Sequence, residues 1–170
     1  ANYHITLNRI NRAAHVGRTA QPGRGLRGKM VLTPYRESRV VAVSGERIFD
    51  IVADVERYPE FLPLMREALV VRRDANAYET QQTLALGLLI YRFRTRTELN
   101  RPHSIRVTSA DWTFRRFEIG WSFTPTPEGH CRVDFVLDCA IRALWLNPLG
   151  DVLVAQMGLT MVDAFVTRAR

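Results

Sequence analysis

Between Tyr91 and Leu99 the chain reads YRFRTRTEL, with Arg92, Arg94, Arg96 and Glu98 on one parity and Tyr91, Phe93, Thr95, Thr97 and Leu99 on the other. Successive side chains of a strand point to opposite faces, and three arginines do not share a core. The tyrosine-led set therefore faces inward. With a hairpin turning at Gly87-Leu88, Glu79 falls opposite Arg96 and Gln81 opposite Arg94. Outward cross-strand ion pairs are then the plain account of the arginine stripe, with an anionic-lipid or RNA contact as the alternative. The same register turns Tyr78, Thr80, Gln82 and Leu84 inward.

Upstream, Glu37 to Val43 predicts a short strand. Ser44 then offers an N-cap, Glu46 suits the positive end of a helix, and Ile48, Ile51/Val52 and Val55 recur at helical spacing. Pro59 is placed to open a second short helix and Pro63 to stop it within about a turn. Alternation and turn signals predict further strands near 68–73, 78–86, 89–100, 104–110, 114–124 and 132–142. Asn147-Pro148 opens a terminal helix running to about Ala169, whose apolar stripe is Val154, Met157, Met161 and Phe165. Consecutive strands without crossover helices make an antiparallel meander. The fold class is α+β.

The inward face is mixed. Thr80, Gln82, Thr95 and Thr97 sit beside Tyr91 and Phe93, and a dry core must hydrogen-bond each of those polar groups. A ligand cavity has this composition without effort, although threonine also favours strands for its own reasons. Phe117, Ile119, Trp121 and Phe123 alternate with polar residues as sheet core does. Trp112 and Phe114 stand at the start of a strand, where a pocket rim is as plausible as core. Met157 and Met161 serve equally as core or as adaptable pocket wall. The stretch DVERYPEFLPLM, residues 54–65, is too broken for one helix and too apolar for an ordinary loop. It is either a lid over the inward face or a fixed plug closing it.

Composition changes this picture in one respect. The net charge of +7 comes from 24 basic and 17 acidic residues. Residues 1–29 hold six bases (Arg9, Arg12, Arg18, Arg24, Arg27, Lys29) and no acid, leaving 18 bases against 17 acids, or +1, in residues 30–170. The domain is thus residues 30–170, nearly neutral, preceded by a basic leader that is unstructured or foreign to the working protein. That leader reads as upstream sequence before a start at Met30, as a transit peptide, or as a basic arm for RNA or anionic lipid. Its GRGLRG spells G-x-G-x-x-G, but no strand precedes it and no helix follows, so dinucleotide binding is not expected. No apolar run approaches the roughly 18 residues of a membrane span, so a soluble chain with at most peripheral membrane contact is expected.

Cys131 and Cys139 lie eight residues apart on one predicted strand. That is roughly 26 Å at about 3.3 Å per residue, beyond disulfide reach, and both should be small buried thiols. His103 and His130 fall in turns, and Asp134 and Asp138 face outward with Arg132 and Arg142. No catalytic or metal motif is found. Binding is favoured over catalysis.

Five blocks, YRESRVV, IFDIVADVERYPEFLP, FRRFEIGWSFTP, CRVDFVLD and MVDAFVTRA, resemble the coenzyme Q-binding, START-like proteins. That group includes polyketide cyclase-like members and bacterial ribosome association toxins. The resemblance spans Tyr35 to Arg170 and implies a helix-grip fold of the START and Bet v 1 type. In that fold a curved antiparallel sheet of about seven strands surrounds a long C-terminal helix, two short helices follow the first strand, and a hydrophobic tunnel lies between. It further implies ubiquinone or a similar isoprenoid lipid as ligand, bound without covalent attachment, in support of respiratory electron transfer. Tyr58, Phe61 and Pro63 match the family block, with Leu64 where members tend to carry tryptophan.

The residues expected to meet the ligand are Tyr58, Phe61 and Leu64 on the lid, with Gln82, Tyr91, Phe93 and Thr95 on two strands. Trp112, Phe114, Trp121, Met157, Met161 and Phe165 complete the expected set. Gln82, Thr95 or Tyr91 would bond a head-group carbonyl. A ribosome-binding toxin would need a concentrated basic surface, against which the +1 balance argues unless Arg92, Arg94, Arg96, Arg115 and Arg116 converge. A cyclase would need an inward acid or base. The expected location is cytoplasmic, peripheral at the inner membrane, or matrix-facing in mitochondria if the leader is a transit peptide.

Overall fold

Seven antiparallel strands pair in the order β1-β7-β6-β5-β4-β3-β2, so only β1 and β7 join across a long sequence gap. The computed structural model of the chain describes residues 34–86, 88–142 and 147–170. The expectations for residues 1–29 and the side chain of Val154 lie outside the described residues. Strands run β1 Tyr35–Val41, β2 Met65–Arg73, β3 Ala77–Leu86, β4 Leu89–Asn100, β5 Ser104–Thr108, β6 Phe114–Pro125 and β7 Cys131–Ile141. Helix α1 (Gly45–Ala53) and a 3-10 helix (Val55–Glu60) follow β1, and α2 (Asn147–Ala169) ends the chain. This is the α+β arrangement read from the sequence, with the seven strands and the long terminal helix in place.

Register confirms the parity argument. Glu79 pairs with Arg96, Gln81 with Arg94 and Gln82 with Phe93. Tyr78, Thr80, Gln82 and Leu84 are all buried, as are Phe93, Thr95 and Thr97. Outward, Arg96 reaches Glu79, Asp74 and Glu98. Both cysteines are buried and free, and Cys131 and Cys139 share the inner face of β7 with Val133, Phe135 and Leu137.

Helix α2 closes the inner face. Its buried residues Met161, Val162, Phe165, Val166 and Ala169 recur at helical spacing. The Phe165 ring meets Trp121 of β6 at 5.1 Å, and Trp121 meets Phe135 of β7 at 4.5 Å, separations at which aromatic pairs contribute beyond area alone. Gly158 lets the helix approach β1 closely, since a Cβ there would stand 2.7 Å from Cδ1 of Tyr35. Arg39 of β1 bonds Asp163, and Arg168 bonds Glu60 of the 3-10 helix. The last turn of α2 is capped by Arg47, whose Nε donates to the Ala169 carbonyl at 2.6 Å.

Helix α1 begins where the sequence places it, with the Ser44 hydroxyl accepting from Arg47 N at 3.2 Å. The second short helix does not. Pro59 was expected at its first position but is the fifth residue of the 3-10 helix, which starts at Val55. Asp54, at φ −89° and ψ 68°, breaks the α-helix and allows a tighter one to restart at once. Val55 remains buried, as its place in the apolar stripe implied. β-Bulges between Met65 and Glu67, between Val70 and Arg72, and between Phe114 and Arg116 bend β2 and β6.

Candidate functional site

Between the inner face of the sheet and α2 lies a cavity of about 60 Å³. Its walls are mostly apolar: Leu84 and Phe93 from β3 and β4, Phe117, Ile119 and Trp121 from β6, Met157 and Met161 from α2. The segment after the 3-10 helix closes one side through Leu62, Pro63, Leu64 and Met65. Pro63 is exposed and Leu64 and Met157 are half-buried, so the mouth opens between this segment and the helix.

Polar groups reach the cavity at few points, chiefly Gln82 and Thr97. The Gln82 carboxamide donates to Thr80 at 3.0 Å and to Thr95 at 3.1 Å, and those two hydroxyls share a bond of 2.7 Å. Thr80 and Thr95 thus satisfy one another behind Gln82, as a buried hydroxyl must. Tyr78 donates to the Ala53 carbonyl at 2.9 Å and Tyr58 to the Val52 carbonyl at 2.5 Å. Burial holds the Tyr58 phenol well above its ordinary pKa. Burial likewise pushes Tyr78 up to about 12, against the opposing pull of its Thr97 hydrogen bond and of Arg73. Both phenols are neutral at physiological pH. The described lining holds no carboxylate or imidazole.

Of the residues expected to meet a ligand, Tyr58, Leu64, Gln82, Phe93, Trp121, Met157 and Met161 come together around the cavity. The others stand behind that wall or away from it. Phe61 packs on Tyr58 at 5.9 Å and Phe165 at 5.1 Å, with the Arg168 guanidinium 5.6 Å over its ring, on the outer side of the closing segment. Phe165 is wholly buried between Tyr58, Phe61 and Trp121. Thr95 lies behind Gln82. Tyr91 is half-buried opposite Leu84, and Phe114 supports Phe93 and Phe117 at 5.4 and 4.7 Å.

Trp112, placed by the sequence at a pocket rim, is 76% exposed and does not line the cavity. The reason is local. The Asp111 carboxylate accepts from Thr113 N at 3.0 Å and the Asp111 carbonyl from Phe114 N at 3.0 Å, a turn that buries Thr113 and turns Trp112 out. Leu62, Leu84 and Val107 line the cavity without having been singled out. Leu84 was legible from its inward parity. Leu62 and Val107 were not, since their approach depends on the bend after Glu60 and on the placement of β5 across the sheet.

Residues 41–166 match the family model described as "Polyketide cyclase / dehydrase and lipid transport". The chain belongs to this family. Among curated members, the ribosome association toxin RatA of Pseudomonas aeruginosa is 30% identical over 138 residues, covering 81% of this chain and 96% of that protein. The mitochondrial coenzyme Q-binding protein COQ10 homolog B of Xenopus laevis is 27% identical over 139 residues, 79% of this chain but 57% of its own length. Among solved structures, the ZhuI aromatase/cyclase of Streptomyces sp. R1128 superposes with a TM-score of 0.72 at 12% identity, covering 81% of this chain and 93% of that one. At that identity it establishes the shared fold alone. The helix-grip architecture implied by the sequence blocks is therefore the family's own.

Proposed function

We propose that this family member binds a hydrophobic isoprenoid lipid, ubiquinone or a close chemical relative, and carries it in support of respiratory electron transfer. The observation that carries the reading is the cavity wall itself: apolar on nearly every side, with Gln82 as a polar group reaching in from β3. The name of the Xenopus relative, a coenzyme Q-binding protein, supports it. An isoprenoid chain gains about 25 cal/mol for each Å² of apolar surface it buries, and a carboxamide such as Gln82 suits the oxygen of a quinone head. As it stands the cavity, about 60 Å³, is well below the roughly 300–1,000 Å³ of ordinary ligand pockets. Loading therefore requires the Pro63–Leu64 edge to part from α2 at Met157. The function is to hold and hand over, with no bond made or broken.

The test is organic extraction of the purified protein followed by mass spectrometry. A co-purifying quinone or polyisoprenoid is the expected result. An extract with no lipid, together with no saturable binding of added ubiquinone, would sink the proposal. A second reading rests on the RatA relatives: association with a ribosomal subunit. Its test is co-sedimentation with purified subunits at physiological salt, where counterion release weakens merely electrostatic contacts.

A further inference from the structure

Three large apolar side chains stand in solvent at one end of the sheet. Leu88, at the tip of the β3–β4 hairpin, is fully exposed, Ile90 is 55% exposed on the outer face of β4, and Trp112 projects from the β5–β6 loop. This is the end at which the cavity opens. The Leu64 carbonyl, on the cavity's mouth, accepts from Ala85 N at 3.0 Å, and Ala85 pairs with Ile90. The Trp112 loop is held against the same end: Arg142 Nε donates to the Trp112 carbonyl at 2.9 Å, and the neighbouring Phe114 ring meets Phe93 of β4. Such exposed side chains lose nothing by entering an apolar phase, and a ring with one polar edge suits the boundary of a bilayer.

Charge on this end is segregated from charge on the rest of the sheet. Away from it, most arginines are matched, among them Arg106 with Glu98 and Glu118, Arg132 with Asp134 and Arg101 with Asp50, while Arg73 lies over the Tyr78 ring. At the hairpin end Arg92, Arg94 and Arg115 are exposed, and none of the ion pairs among the described residues includes them. The acids nearest in register do not balance them. Asp138 is paired with Arg116 at 2.5 Å, while Glu67, across β3 from Arg92, and Asp111 accept only from neutral donors among the described residues, Thr83 at 3.3 Å and Thr113 N, and keep their charge, two carboxylates against the three arginines. Unmatched guanidinium groups flanking exposed aliphatic and indole side chains are complementary to an anionic lipid surface, phosphates outside and acyl chains within. RNA would use the arginines and the indole but would leave Leu88 and Ile90 without a partner.

We propose that this end of the domain docks on an anionic bilayer, Leu88, Ile90 and Trp112 entering the headgroup layer and Arg92, Arg94 and Arg115 meeting lipid phosphates. The mouth between Leu64 and Met157 then lies at the membrane, where a water-insoluble ligand can pass without crossing solvent. The docking rests on the lipid-binding reading for its purpose alone, so quinone-free vesicles test it separately from the extraction experiment.

The full chain is sedimented with phosphatidylcholine vesicles with and without phosphatidylglycerol. Binding is expected with the anionic lipid, weakening as salt rises. Leu88→Glu/Ile90→Glu should lower the partition coefficient at least tenfold, and Arg92→Gln/Arg94→Gln roughly fivefold for each charge removed. Val40→Glu/Ala42→Glu, an equal change of two charges at exposed sites on and just after the far edge strand, should leave binding as it was, and unchanged thermal melting certifies each fold. Hairpin variants that bind like the parent would overturn the proposal. So would an unstructured RNA that binds through Arg92 and Arg94 while vesicles do not bind.

Discussion

The ring of Tyr58 meets that of Phe165 at 5.0 Å, edge to face, while its hydroxyl donates to the Val52 carbonyl at 2.5 Å. One side chain thus ties the 3-10 helix to α2 and to the end of α1 at once. Tyr58 anchors the segment that closes the cavity, with Pro63 and Leu64 beyond the anchor at the cavity wall. Tyr58→Phe leaves a buried carbonyl unpaired and should cost about 1–3 kcal/mol. Tyr58→Ala, which also opens a void, should cost about 3–5 kcal/mol. Urea denaturation monitored by circular dichroism measures both. Equal costs for the two variants would show that the aromatic contact contributes nothing.

The Gln82–Thr80–Thr95 cluster makes a contrasting prediction. Thr95→Val leaves Thr80 and the Gln82 amide short of a partner and should destabilise by about 1–3 kcal/mol. Gln82→Leu leaves the two threonines bonded to each other and should cost less, yet it removes the polar group that reaches the cavity. Ubiquinone affinity, read by quenching of tryptophan fluorescence, should then fall about five- to tenfold, the worth of one hydrogen bond. A Gln82→Leu protein that binds quinone as tightly as the parent would remove Gln82 from the head-group site.

Close approach of α2 to β1 rests on a missing side chain. Gly158→Ala would press a Cβ to within 2.7 Å of Tyr35 Cδ1 and 2.9 Å of its Cγ, ring atoms near the backbone that yield little. A loss of about 1–3 kcal/mol is expected. Tyr35→Ala added to Gly158→Ala should recover part of it. Additive losses in this double-mutant cycle would refute the contact.

High pH should loosen the fold through its buried acids. Burial pushes the Cys139 thiol from 9.0 up to about 12 and Tyr78 from 10.0 to about 12. The unfolded chain would therefore lose these protons first. Stability is fully present below about pH 9 and falls as pH rises from there toward 12. At pH 8 a thiol reagent should label Cys139 only after denaturant is added. Rapid labelling in the native state would contradict its burial.

Much of this protein was legible before any coordinates. Period-two alternation sorted the faces of β3, β4, β6 and β7, because consecutive side chains of a strand must point opposite ways. A turn placed at 87–88 from the sequence predicts the pairs from Glu79–Arg96 to Leu86–Leu89, and those pairs form. Charge arithmetic showed the domain to be almost neutral, though it could not show that Arg92, Arg94 and Arg115 would gather unmatched at one end. That separation depends on which acids the sheet brings beside each arginine. Tertiary structure alone also decided depth. Phe61 and Phe165 proved to be packing behind the cavity and Trp112 an exposed loop residue, while Leu62 and Val107 line it. Parity states which face a side chain takes, but distance from a cavity is set by strand bulges, by the restart of the chain at Asp54, and by how closely Gly158 lets α2 come down.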